Sequence, residues 1–327
     1  MDSLTVLVPV YNEEAVIGEF YRRTVDVCET LEGTRFELLF VDDGSSDRSI
    51  ELVHDLIQDD PRVSLLRLSR NFGKEAALTA GLDHVDSDAV IIIDADLQDP
   101  PELIPDMLKL WRQGYDTVYG QRTERHGESF TKKVTASAFY RLMARLGRFS
   151  IPRDTGDFRL LSRRAVNALK SLPESNRFMK GLFSWIGYPQ IALKYSRDPR
   201  HAGDTKFNYW KLWNFALDGI TSFTTLPLKL ASYIGVLLAF GSFVYGAYVV
   251  VKTLLWGDPV PGYPSLMTVI LFIGGIQLMF LGVLGEYLGR MFDETKRRPL
   301  YLIQEHVRGR ETERKTSVIA AAGESVK

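Results

Sequence analysis

The sequence predicts an α/β domain with a mainly parallel sheet, followed by a two-helix hairpin able to cross a membrane. Over the first part of the chain, short apolar runs alternate with longer amphipathic stretches, the pattern of strands joined by crossover helices. Acids and amides cluster where several of those apolar runs stop. Farther on, ASYIGVLLAFGSFVYGAYVVV (Ala231–Val251) and SLMTVILFIGGIQLMFLGVLG (Ser265–Gly285) carry no charge. Each has roughly the 20 residues that a hydrocarbon core requires.

Strands are expected at Leu4–Val10, Phe36–Val41, Val63–Leu68 and Ala89–Ile93, with helices at Glu13–Leu31, Asp47–Ile57 and Lys74–Val85 between them. The opening MDSLTVLVPVYNEE has neither a basic n-region nor a cleavage site, so it reads as the first strand rather than a signal peptide. SFTKKVTASAFYRLMARLGRF (Ser129–Phe149) sets Phe139, Leu142, Met143 and Leu146 among basic residues at helical spacing. It suits an interfacial helix or, equally, a helix packed on the sheet. FNYWKLWNFALDGITSF (Phe207–Phe223) is a second interfacial candidate, because its tryptophans favour the membrane boundary.

The two uncharged runs are joined by the turn WGDPVPGYP (Trp256–Pro264), which has no Lys or Arg. Lys229 precedes the first run, and Arg290, Lys296, Arg297 and Arg298 follow the second. The positive-inside rule then places both termini in the cytoplasm, making the protein a multi-pass inner-membrane protein. The expected division is residues 1–225 as a cytoplasmic domain, 226–288 as the hairpin and 289–327 as a cytoplasmic segment, with a disordered tail from about residue 309.

Composition excludes several classes. A net charge of −1 over 327 residues gives no bulk basic field for nucleic acid. The lone Cys28 excludes an intrachain disulfide framework, and five scattered histidines lack the spacings of a zinc site.

In open parallel sheets, ligands bind outside the carboxyl ends of the strands. At those ends stand PVYNEE (Pro9–Glu14), VDDGSSD (Val41–Asp47), RNFGK (Arg70–Lys74) and DADLQD (Asp94–Asp99). Helix capping accounts for Asn12, Glu14, Ser46 and Asp47. It does not account for Asp42, Asp94 and Asp96, because uncompensated carboxylates at the end of a central strand are costly. A divalent cation resolves the cost: Mg²⁺ or Mn²⁺ binds through one or two carboxylates completed by substrate phosphates. Neither G-x-G-x-x-G after the first strand nor G-x-x-x-x-G-K-[ST] is present, which removes dinucleotide and P-loop readings. An aspartyl phosphatase would carry its D-x-D after the first strand, where this chain has PVYNE.

The motifs VLVPVYNEE, VDDGSSD, RNFGKEAAL, DADLQDPPE and DTGDFRLLSRRAV, followed by a membrane hairpin, resemble the polyisoprenyl-phosphate glycosyltransferases. These are family 2 glycosyltransferases of the GT-A fold, related to dolichyl-phosphate mannose synthase, and the resemblance runs to about residue 305. It implies that Pro9, Tyr11, Glu13, Asp42, Ala95 and Gln98 bind the nucleotide sugar, with Asp42 near the base. It makes Asp94, Asp96 and Gln98 the metal and diphosphate site, and sets Arg122 of YGQRTER against the phosphates. Asp96, Asp157 and Arg122 are thus the candidate catalytic residues, with Asp157 near sugar and acceptor, and Lys206 with Arg200 at the acceptor phosphate. Lys74 either touches substrate or simply starts a helix.

The implied reaction is inverting transfer of a sugar from a UDP-sugar to polyprenyl (undecaprenyl) phosphate, giving a lipid-linked sugar for the cell envelope. TERHGES after Arg122 departs from the R-Y-x-x-G-G pattern of mannose synthases, which favours a UDP-sugar over GDP-mannose. Glucose is the first choice, ahead of N-acetylhexosamine and aminoarabinose derivatives. A homo-oligomer is expected, with a flippase or downstream glycosyltransferase as partner. A processive polysaccharide synthase is the rival enzyme, but two spans are few for a channel and Q-x-x-R-W is missing. A non-enzymatic nucleotide sensor leaves the acid pair unexplained.

Overall fold

The computed structural model describes residues 1–123, 152, 155–175, 177–195, 225–256 and 262–309, in two compact units. The first is built on an eight-stranded sheet in the order β7-β5-β6-β4-β1-β2-β3-β8. Its strands are β1 (Asp2–Val10), β2 (Thr34–Asp42), β3 (Val63–Leu68), β4 (Ala89–Ile92), β5 (Thr117–Arg122), β6 (Thr155–Ser162), β7 (Gln190–Tyr195) and β8 (Ile303–Arg308). Helices α1 (Ile17–Glu29), α2 (Ser49–Asp59), α3 (Lys74–His84), α4 (Ile104–Arg112), α5 (Arg163–Lys170) and α6 (Met179–Trp185) connect them.

β1 pairs in parallel with β2 and β4, β2 with β3, and β5 with β7. Among the described strands, β6 and β8 run opposite to the rest. The four expected strands are therefore the central block, and the apolar periodicity that announced them is the burial of both sheet faces. β1 sends Leu4, Val6, Val8 and Val10 into a core shared with Ile17 and Phe20 of α1. Leu7 points the other way, against α3 at Gly81. Each such buried side chain contributes about 1.5–3 kcal/mol.

Helix α1 begins at Ile17 rather than at the expected Glu13. Asn12 stands in the left-handed region at φ 56°, and Glu13 is committed to a tight turn in which the Val16 and Ile17 amides donate to its carbonyl. The loop after β1 is thereby kept free of the helix.

β8 was not expected from the sequence. It lies beyond the hairpin in the chain, yet pairs antiparallel with β3 from Ser64↔Arg308 to Leu68↔Ile303. Its pattern, IQEHVR, carries charges as edge strands do, so no apolar run announces it.

The second unit holds α7 (Leu226–Trp256) and α8 (Tyr263–Lys296). Two stretches, Pro227–Trp256 and Phe272–Lys296, are long and apolar enough to cross a membrane. Leu237, Phe240, Phe243 and Tyr248 on α7 are exposed, a surface suited to lipid rather than water. Both helices outrun the uncharged stretches. In α8 the extension past Gly285 is supported by the Glu286–Arg290 pair at 3.0 Å. The helix stops where Arg297 turns left-handed at φ 47°, two residues before Pro299. These apolar helices make the protein a membrane-associated one.

Candidate active site

The loops after β1, β2, β3 and β4 converge at the carboxyl edge of the parallel block, around a cavity of ≈ 430 Å³. Pro9, Tyr11, Glu13, Asp94, Ala95 and Asp96 all line it, joined by Asp43, Asn71, Gly73 and Lys74. A second hollow of ≈ 250 Å³ lies at the opposite strand ends, near Ser3, Arg35 and Ser87, and holds none of the motif residues.

The loops are fastened to each other more than to their own helices. Asn12 Oδ1 accepts from the Ser46 amide at 2.8 Å, and the Asn12 amide donates to Ser45 Oγ at 2.9 Å. The Glu14 amide donates to Asp47 Oδ2 at 3.1 Å, while Glu14 Oε2 accepts from the Arg48 amide at 3.1 Å. The residues assigned to capping thus cap backbone across two loops, with Asp47 Oδ1 also accepting from Ser49. Tyr11 is left half exposed at the cavity, a flat surface on which a base can stack.

Asp42 is placed differently from expectation. It is 2% exposed and outside the cavity lining. Its carboxylate accepts from the Gly44 and Ser45 amides, with Arg67 Nε at 3.8 Å. Asp43 is the acid at the cavity wall, and it accepts from the Phe72 and Gly73 amides at 2.7 and 2.9 Å. The loops after β2 and β3 meet so closely that a Cβ on Gly44 would lie 2.6 Å from Arg70 and Asn71 backbone; its φ of 76° also favours glycine. Gln98 is buried and likewise outside the lining; its amide donates to Asp96 Oδ1 at 3.1 Å. Between them Leu97 takes a left-handed φ of 58°, a strained conformation in the middle of the D-x-D loop.

Lys74, at the start of α3, reaches into the acids. Its Nζ is 2.6 Å from Asp94 Oδ1 and 2.6 Å from Asp157 Oδ2. This brings Asp157, on β6, into the same cluster as the D-x-D loop. Burial pushes the Asp94 carboxyl above its ordinary value. Burial acts on Asp157 in the same sense, but Lys74 and Lys180 outweigh it and hold that carboxyl below the ordinary range. Glu75 accepts from the Met179 amide at 3.1 Å, and burial together with the Asp157 charge pushes it up to about 7.

Arg122 ends β5 and is held from behind. Its Nε is 3.4 Å from the Tyr195 hydroxyl and its Nη2 is 3.8 Å from Asp99, to which Tyr195 donates. A Cβ at position 156 would lie 2.8 Å from Arg122 Nη2, so Gly156 makes room for the guanidinium. Asp99, only 1% exposed, is thereby occupied as the anchor of Arg122. Arg200 and Lys206, with both proposed interfacial helices, lie outside the described residues.

Sequence reasoning gave no role to Glu75, Asp99, Tyr195 and Arg159. Arg159 is 4% exposed; its guanidinium lies 3.7 Å over the Phe183 ring and donates to the carbonyls of Asp157 and Gly156. It braces the backbone that presents Asp157. A charge inside the otherwise apolar FRLL of DTGDFRLLSRRAV was the available signal.

The donor set fits a divalent cation. Asp94 and Asp96 line one cavity, their carboxylate oxygens suit a hard ion, and an ammonium already sits on Asp94. Among the described residues no three His, Cys, Asp or Glu form a metal-holding group, so phosphate oxygens would have to complete the coordination.

The glycosyl transferase family 2 model matches residues 5–170, and the GtrB C-terminal hairpin model matches residues 226–291. The chain is 50% identical over 303 residues to an uncharacterized glycosyltransferase of Synechocystis sp., covering 93% of this chain and 95% of the relative. It is 48% identical over 302 residues to a prophage bactoprenol glucosyl transferase homolog of Escherichia coli, with coverages of 92% and 98%. It is 49% identical over 302 residues to the bactoprenol glucosyl transferase of a Shigella phage, with coverages of 92% and 99%. With an acid-lined cavity at the strand ends, a mainly parallel α/β sheet and matches over nearly its whole length, the chain belongs to glycosyl transferase family 2.

Proposed function

We propose that this protein transfers glucose from UDP-glucose to a polyprenyl phosphate carrier in the membrane, with inversion at the anomeric carbon. The observation that carries the reading is that relatives named as bactoprenol glucosyl transferases align over both the cavity and the hairpin. The UDP part rests on the departure at TERHGES from the mannose-synthase pattern.

The acceptor removes the need for a strong base. A lipid monophosphate is already largely ionised, with a second pKa of about 6. Its oxygen attacks the anomeric carbon, the C–O bond to the diphosphate breaks, and UDP leaves with the electron pair. Asp157 is suited to orienting the sugar, because a carboxylate held below its ordinary pKa is a weak proton acceptor. Arg122, fixed by Asp99 and Tyr195, faces the phosphates. Tyr11 and Glu13 hold the nucleoside at the cavity wall. Asp94 and Asp96 would hold Mg²⁺ or Mn²⁺ there. When bound, that ion supplies charge neutralisation for the diphosphate. Arg200 and Lys206 are assigned to the acceptor phosphate.

The hairpin keeps the catalytic unit where a polyprenyl phosphate presents its headgroup, with both termini cytoplasmic. A homo-oligomer and a partner that flips or consumes the lipid-linked glucose complete the reading. The test is a donor screen: purified protein in detergent with undecaprenyl phosphate, offered UDP-glucose, UDP-N-acetylglucosamine, a UDP-aminoarabinose derivative and GDP-mannose in turn. Glucosyl lipid of inverted configuration should form from UDP-glucose. Product from another donor alone, or none from any, would overturn the assignment.

A further inference from the structure

Lys74 occupies the place where a cation is most needed. Asp94 follows β4 and Asp157 lies on β6, and two carboxylates brought this close would repel one another. The ammonium lies 2.6 Å from an oxygen of each and answers that repulsion. Its side chain is nonetheless 43% exposed and lines the cavity that Asp96 also lines, so it is not locked into the core. While it stays there, Asp94 is engaged by a cation that belongs to the protein.

We propose that Lys74 is a placeholder cation: without donor it bridges Asp94 and Asp157, and a divalent ion takes Asp94 only when a diphosphate arrives to receive the ammonium. This rests on the metal reading of the D-x-D loop given above. The diphosphate then does two things at once. It supplies oxygens that two aspartates alone do not, and it gives Lys74 a new anionic partner. Ion and nucleotide therefore bind with positive coupling, which is reciprocal. Ion binding without nucleotide is weakened by the small fraction of protein in which Lys74 has moved aside. Lys74 is in this sense a positioning residue whose first job is to keep the site closed to free metal. A lysine that merely starts α3 would have no effect on metal affinity.

The test is Mn²⁺ binding to the full-length protein in detergent, followed by the electron paramagnetic resonance signal of free Mn²⁺, with and without UDP. Wild type should bind Mn²⁺ weakly alone, and UDP should tighten it by about tenfold or more, the scale of one close charge pair in a partly screened site. Lys74→Met should bind Mn²⁺ alone about tenfold or more tightly than wild type, because Asp94 then faces the ion without the competing ammonium. It should also lose most of the UDP-dependent gain. Lys74→Arg keeps the charge and should behave as wild type. Equal or weaker Mn²⁺ affinity in Lys74→Met would overturn the placeholder role while leaving the metal site standing. Should that variant not fold, wild-type affinity unchanged by UDP would overturn the role on its own. Absence of Mn²⁺ binding in every protein, even with UDP, would remove the metal reading and this proposal with it.

Discussion

Replacing Tyr195 with phenylalanine removes a single oxygen from β7, and that oxygen serves two charges. It donates to Asp99, a carboxylate 1% exposed, and lies 3.4 Å from Arg122 Nε. The ring contact with Phe158, at 6.0 Å between centroids, survives the change, so little packing is lost. What remains beside Asp99 among the described contacts is Arg122 Nη2 at 3.8 Å, too long for a hydrogen bond. A lost hydrogen bond to a buried charge costs about 1.5–3 kcal/mol. In a domain of this size that corresponds to about 2–4 °C of melting temperature per kcal/mol. Burial and Asp99 hold the phenol above its ordinary pKa, so the loss should be the same at pH 6 and pH 8. Arg122, freed on one side, should swing toward Asp99 and raise the KM for the nucleotide sugar more than it lowers kcat. Thermal melting in detergent and steady-state kinetics with varied donor check both parts. Melting within about 0.5 kcal/mol of wild type, together with an unchanged donor KM, would refute the anchoring of Arg122.

Asp96→Asn should insert and fold normally but lose nearly all transfer, because it removes a carboxylate while keeping shape; near-normal turnover in excess Mg²⁺ or Mn²⁺ counts against the metal assignment. Glu75→Gln keeps an acceptor for the Met179 amide and tests the sign of a pKa shift. Folding raises the Glu75 pKa from 4.5 to about 7, so its charge costs nothing below pH 4.5, and the cost grows as pH rises through 7. The variant should match wild type in urea unfolding at pH 4.5 and exceed it at pH 8 by roughly 3 kcal/mol, and an equal gain at both values would refute the assignment. A chain cut after Thr225 loses β8, whereas one with residues 226–298 replaced by a flexible Gly/Ser linker keeps it. The linked chain should bind UDP-glucose and resist proteolysis better than the cut one; indistinguishable behaviour would mean that β8 adds little to the sheet.

The central strands were legible because burial on both faces leaves a plain apolar run, and the hairpin because lipid demands the same of a helix. The acid pair was legible because two carboxylates at the end of IIID have no business in a sheet without a partner. Which acid at the end of β2 faces the cavity was decided by the turn that follows it. Asp42, the last residue of β2, turns its carboxylate onto the Gly44 and Ser45 amides of its own turn. That leaves Asp43 for the cavity. The fastening of one loop to another was beyond reach, since Asn12 with Ser46 and Asp43 with Gly73 are encounters that only the folded topology creates. The double role of Lys74 was hidden for the same reason: Asp94 and Asp157 come together through the antiparallel seat of β6 beside β4. β8 escaped notice because an edge strand does not need an apolar period.

The return of the chain into the sheet at β8 bears on how the protein is made. A ribosome delivers β1 through β7 before either apolar helix, and the last strand only after both. Until the chain beyond α8 has been synthesised, β3 lacks its β8 partner from Ser64 to Leu68. Completion of the catalytic sheet thus waits for the synthesis of both apolar helices, and a chain stalled before them carries an open strand edge that chaperones or proteases can recognise.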